Sequence, residues 1–164
     1  MEIIGYKCFD KNLINRYGFQ YEIGKIYSVN GKLKFGNHGN GFHFCKNLED
    51  TFRYYDAMHN DIDICLVIGF GNIVEYEDKY YGYYDMYCAE KLLILRKLTR
   101  SEIIEYGYNL NEIRINRFIS GFLLTEAERN IFKNKFYNRS EVIKTIEYYQ
   151  EGNLDAFTKK YIKK

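Results

Sequence analysis

Apolar residues fall into two regimes along this chain. To about residue 98 they alternate with polar residues or cluster in short runs broken by glycine, and beyond it they recur at helical spacing. Ile3 to Phe9 predicts an opening strand and Phe19 to Ile26 a second. Lys25-Ile26-Tyr27-Ser28-Val29 leads into Asn30-Gly31, a dipeptide that favours a two-residue hairpin, with Lys32 to Phe35 as the return strand. Phe42 to Cys45 reads as a short strand after a glycine loop. Asn47 then caps a helix start that runs through Tyr55, with Asp50 in its first turn. Ile62 to Phe70 is almost wholly apolar, as a strand buried on both faces requires, and Ile73 to Glu77 continues it past a bend at Gly69 and Gly71. Met86 to Leu98, holding Leu92-Leu93-Ile94-Leu95, predicts another buried strand.

From Thr99 onward the spacing is helical. Thr99 with Glu102, and Thr125 with Glu128, have the capping-box form; they start helices at Arg100 to Tyr106 and from Thr125 to about Phe136. Ile113, Phe118 and Phe122 mark one side of a helix over Asn111 to Phe122. Val142, Ile143, Ile146 and Tyr149 mark another over Ser140 to Tyr149, stopped by Gly152, and a last short helix covers Leu154 to Ile162. The expected fold is therefore α+β: a twisted, mostly antiparallel sheet of about five or six strands over residues 1–98, with residues 99–164 a helical region docked on it.

Composition narrows the function classes. The chain has 164 residues, enough to bury a core without disulfide or metal support. Its 24 basic and 22 acidic residues give +2, too even a balance to supply a field for nucleic acid or a membrane. The longest apolar run, Ile64 to Phe70, is too short to cross a bilayer, and no basic region precedes an apolar stretch at the N-terminus, so a cytoplasmic protein is expected. Cys8, Cys45, Cys65 and Cys88 are widely spaced, with no Cys-x-x-Cys pair; reduced buried thiols are expected, and zinc is not. His38, His43 and His59 with Asp61 and Asp63 do not have the spacing of a metal site.

Tyrosine is the excess: 18 Tyr and 12 Phe stand beside no Trp and no Pro. Tyr80, Tyr81, Tyr83, Tyr84 and Tyr87 surround Gly82, with Tyr76 just before them. Alternation puts them on both faces of a strand, so some must be exposed, and clustered tyrosine makes binding hot spots at low entropic cost. Lys79 is outnumbered there by Glu75, Glu77, Asp78 and Asp85, which favours a protein or basic partner over nucleic acid.

Four segments carry a resemblance. Gly5 to Phe9, Phe19 to Tyr27, Gly41 to Cys45 and Leu92 to Thr99 resemble, in order and wording, an uncharacterised domain of phages and bacteria that often stands ahead of pentapeptide repeats; the likeness covers about residues 5–105. It implies a phage or mobile-element origin and carries no catalytic roles. A more distant likeness is to small ADP-ribosyltransferase-like domains. It implies NAD as cofactor, His43 beside the aromatic of Gly41-Phe42-His43-Phe44, Glu90 as the catalytic glutamate, and Lys7 where that family has His or Arg. Lysine lacks the fork of arginine, so the match departs at its first motif. The reading that follows is a non-enzymatic protein with no cofactor. It is expected to bind a host protein or ribonucleoprotein complex through its tyrosines, as a stoichiometric, anti-CRISPR-like inhibitor of host defence or regulation; an NAD-dependent transferase is the alternative.

Overall fold

A computed structural model describes residues 1–35, 39–77 and 85–152. Five strands come first: β1 (Glu2–Asp10), β2 (Ile26–Ser28), β3 (Phe42–Cys45), β4 (Ile62–Glu77) and β5 (Asp85–Lys97). Four α-helices follow: α1 (Arg100–Tyr108), α2 (Glu112–Gly121), α3 (Glu126–Lys135) and α4 (Ser140–Thr145). A 3₁₀ turn, Glu49–Arg53, lies between β3 and β4, and a π-helical turn, Ile146–Glu151, extends α4. The architecture is α+β with an antiparallel sheet and a helical C-terminal region. The chain forms two compact units: Met1–Thr51 with Asp63–Leu98, and Phe52–Ile62 with the chain from Thr99 onward.

In the sheet unit, β5 is the hub. It pairs antiparallel with β4 along most of its length, and on its other flank with β3 (Phe42↔Ala89 to Cys45↔Met86) and then β2 (Ile26↔Leu93 to Ser28↔Lys91). β3 pairs with β1 at Tyr6↔Cys45, and β1 pairs with β4, so the pairings run in a closed ring β1-β3-β5-β4. So small a ring leaves room for few side chains. Phe44 takes the space: a Cβ at Gly69 of β4 would lie 2.4 Å from its ring, and one at Gly5 of β1 2.6 Å from it. The Phe44 ring thus favours glycine at both positions, joined at Gly5 by the Cys45 carbonyl oxygen, which a Cβ would approach to 2.5 Å. Tyr87 packs tilted against Phe44 with ring centroids 5.3 Å apart, and Phe9, Tyr21, Cys65, Val67, Ala89, Leu92 and Ile94 complete the core. Each large side chain so buried contributes about 1.5–3 kcal/mol.

Where sequence and structure differ, the cause is competition between partners. Phe19 to Ile26 is not a strand, and Lys32 to Phe35 does not return on Lys25–Val29. Gly31 has φ +79°, but Asn30 is not among the positive-φ residues, so the two-residue hairpin turn does not form. β2 pairs with β5 instead. The Asn40 side chain serves the loop backbone, accepting from Lys34 N at 2.8 Å and donating to the carbonyls of Asn30 and Lys32 at 3.2 and 3.1 Å. The helix expected after Asn47 is the single 3₁₀ turn. Both capping boxes form as read, at Thr99/Glu102 and Thr125/Glu128.

In the helical unit, Arg100 makes a two-pronged ion pair with Glu128 (Nε to Oε1 2.8 Å, a terminal nitrogen to Oε2 2.7 Å) and also donates to the Leu123 carbonyl. The helix over residues 140–149 keeps its start but slips into π geometry after Thr145. Burial therefore runs Val142, Ile146, Gln150, and Tyr149 is turned outward. The Gln150 amide accepts from Leu124 N at 2.8 Å and donates to the carbonyls of Ile119 and Phe122, satisfying the α2–α3 connection. Leu154 to Ile162 lies outside the described residues. Among the described residues no helix is long and apolar enough to cross a membrane.

Candidate functional site: the face opposite the core

Residues directly opposite each other in an antiparallel pair share a face of the sheet. The register therefore lines up Val74 (β4), Cys88 (β5) and His43 (β3) in one row, and Tyr76, Met86, Cys45 and Tyr6 in the next. This is the face turned away from Phe44, Tyr87 and Ala89. Phe35 comes onto it from the loop ahead of β3, its ring centroid 5.7 Å from His43 and 5.4 Å from Tyr76. The sulfurs of Cys45 and Cys88 are buried, while Phe35, Val74 and Tyr76 are 40%, 41% and 42% exposed. The result is an aromatic surface with a thiol floor.

The charged groups nearby are engaged. Lys7 sits on β1 between buried Gly5 and Phe9, and its Nζ donates to the His43 carbonyl at 2.5 Å and lies 5.7 Å from the Phe9 ring. Burial, opposed by nearby thiols, lowers its pKa to about 8. Burial, then the Lys7 charge, lowers the His43 imidazole below its ordinary value, so the ring is neutral near pH 7. Glu90 stands two places along β5 from Cys88, the partner of His43. Its Oε2 accepts from Asn72 N at 3.1 Å and from Asn72 Nδ2 at 2.9 Å. That grip holds the irregularity of β4 between Phe70 and Ile73, where Gly71 has φ +83°.

Burial disfavours the thiolate at all four cysteines. All four cysteines are free and buried. Burial pushes Cys8 and Cys65 up to about 12 and raises Cys45 and Cys88, so thiolate is scarce at neutral pH. Cys8 Sγ donates to Thr51 Oγ1 at 2.9 Å.

Of the residues singled out from sequence, Tyr76 is exposed on the aromatic face. Tyr87 is a core residue, 6% exposed, and its ring is no part of that surface. Tyr80, Tyr81, Tyr83 and Tyr84 lie outside the described residues, as does His38. Lys7 and His43 are brought together through a backbone carbonyl, and Glu90 is tied to Asn72. His59 pairs instead with Asp56, at 2.8 Å, and Asp63 is buried in an ion pair with Lys97 while accepting from Leu13 N at 3.0 Å. Phe35 and Asn72 were not marked by the sequence. Phe35 stands at the mouth of the glycine loop, and its contact with two separate strands has no local signature.

Residues 3–106 match the family model described as Domain of unknown function (DUF7666). No curated protein and no solved structure matches the chain.

Proposed function

Because the chain belongs to the DUF7666 family, whose description assigns no activity, we propose from its own surface that it acts by binding, and that the Phe35–His43–Tyr76 face is where a partner protein or ribonucleoprotein complex sits. One observation carries this reading: two large aromatic rings and a valine remain about two-fifths exposed side by side on a rigid sheet. Rigid amphipathic rings are the side chains that dominate binding hot spots. The groups a transferase would use are occupied in structural work. The Lys7 ammonium is spent on a backbone carbonyl, and Oε2 of Glu90 on the Asn72 bulge. On this reading the protein works stoichiometrically, and a phage or mobile-element origin with a host defence or regulatory complex as target is its biological form.

The test pairs capture with NAD labelling. Immobilised full-length protein is expected to retain one partner in fixed ratio from host lysate. Tyr76→Ala and Phe35→Ala should abolish retention, and Glu90→Gln, checked for fold by circular dichroism, should leave it intact. Labelled NAD should mark nothing. A labelled host component that disappears with folded Glu90→Gln, together with capture indifferent to Phe35 and Tyr76, overturns the proposal in favour of the transferase.

A further inference from the structure

Two Asn-Gly pairs stand in this chain, Asn30-Gly31 and Asn40-Gly41, and the fold treats them in opposite ways. Asparagine followed by glycine is especially open to amide loss, because no Cβ keeps the next backbone nitrogen from the side-chain carbonyl carbon. The Asn40 carboxamide is held at both ends. Its Oδ1 accepts from Lys34 N at 2.8 Å, and its Nδ2 donates to the carbonyls of Asn30 and Lys32 at 3.2 and 3.1 Å. The space beside Gly41 is filled as well: a Cβ there would come 2.2 Å from Cys88 Sγ and 2.6 Å from Leu33 Cδ1. Asn30 and Gly31 are exposed, and among the described residues no hydrogen bond reaches the Asn30 carboxamide or the Gly31 N–H. Gly31, at φ +79°, has nothing within 4 Å of its Cβ position, so ring closure there meets no neighbour.

We infer that Asn30 is a self-modification site, which deamidates in the folded protein while Asn40 is protected. The Gly31 nitrogen attacks Asn30 Cγ. An N–Cγ bond forms, the Cγ–Nδ2 bond breaks, and ammonia leaves with the proton given up by Gly31. Water then opens the five-membered imide at either carbonyl, leaving aspartate or isoaspartate at position 30. In the isoaspartyl product the main chain runs through the side-chain carbonyl, and the former Asn30 carbonyl becomes a free carboxylate. The acceptor that Asn40 Nδ2 grips thus leaves the main chain. That slackens the clamp which also fixes Lys34 and, one residue on, Phe35. The site goes beyond the binding reading; only its effect on a partner rests on that reading.

The test ages the full chain at pH 6 and pH 9 and maps it by peptide mass spectrometry, with isoaspartyl methyltransferase labelling to tell isoaspartate from aspartate. The amide-to-acid mass increment should appear at Asn30, faster at pH 9, and more slowly at Asn40 by roughly tenfold, since Asn40 reacts only when its clamp opens. In guanidinium, with the clamp gone, the two sites should convert at similar rates. Hydrogen exchange at the Lys34 amide should quicken several-fold in aged wild type and stay unchanged in aged Asn30→Gln, whose longer side chain cyclises poorly. Equal rates at the two sites in the folded protein, an unchanged Asn30, or Lys34 exchange blind to the isoaspartate overturns the inference. In the capture assay, aged wild type should retain less partner than fresh, and aged Asn30→Gln as much as fresh. Equal retention despite a loosened Lys34 amide counts against Phe35 as a partner contact and leaves the modification site standing.

Discussion

Lys7 is charged at neutral pH in a site that disfavours the charge, and the sign of its effect can be worked out. Its folded pKa is about 8 against an ordinary 10.5. Below pH 8 both states hold the proton and the contribution is flat. Between about 8 and 10.5 the unfolded chain binds the proton more tightly than the folded one, so this group's contribution to stability rises with pH. The thiols, raised by burial, act in the opposite sense above pH 9. The difference between wild type and Lys7→Met therefore isolates the lysine. Lys7→Met should be at least as stable as wild type at pH 7.5, with an advantage that shrinks by pH 10, as read from urea midpoints. An advantage that grows with pH contradicts the burial account. At this scale some of the chemistry could be read in advance and some could not. Buried thiols follow from the aromatic or aliphatic neighbour that stands beside each cysteine. Tyr76 and Tyr87 look alike in the sequence, and only the register, Tyr76↔Met86 beside Glu75↔Tyr87, sends one ring outward and the other onto Phe44.

At the scale of elements, closure of the sheet depends on Phe44 finding no Cβ at positions 5 and 69. Gly69→Ala should cost about 1–3 kcal/mol, the range for overpacking a well-filled core. The same change in a Phe44→Leu background should cost measurably less, since the clashing ring is gone. A double-mutant cycle from denaturant unfolding reads the coupling, and strict additivity would mean that ring and glycine are independent. Helix starts were legible because Thr99/Glu102 and Thr125/Glu128 satisfy their own backbone groups locally. β2 was not, because Asn30-Gly31 states only a local preference and β5 offers a better, distant partner. The π turn was hidden for a similar reason. An amphipathic pattern assigns burial to Tyr149, and the slip that buries Gln150 instead brings its amide to the backbone groups of Ile119, Phe122 and Leu124.

For the molecule as a whole, the order of the chain and the order of the units disagree. Phe52–Ile62 lies between sheet segments in sequence but belongs to the unit that resumes at Thr99. Phe52 stacks there on Phe122 at 5.6 Å and lies 5.9 Å from Phe118. The family match ends at residue 106, inside α1, so its boundary also cuts the helical unit. A fragment ending at Leu98 would keep every strand yet leave Phe52 without its two ring partners. That fragment should bind a hydrophobic dye strongly, and Phe52→Ser should reduce the binding several-fold; equal signals would show that Phe52 does not depend on the helices.

The closed ring has one more consequence. A strand at the margin of a sheet offers its unpaired backbone to any passing chain, and proteins commonly guard such margins with proline or lysine. This sequence has no proline, and its 18 tyrosines and 12 phenylalanines favour cross-molecule stacking. By joining β1 to both β3 and β4, the fold removes the template itself; among the described residues, the pairing order ends at β2, three residues long. Topology thus leaves little free strand margin to seed fibril growth beside a surface rich in aromatic rings.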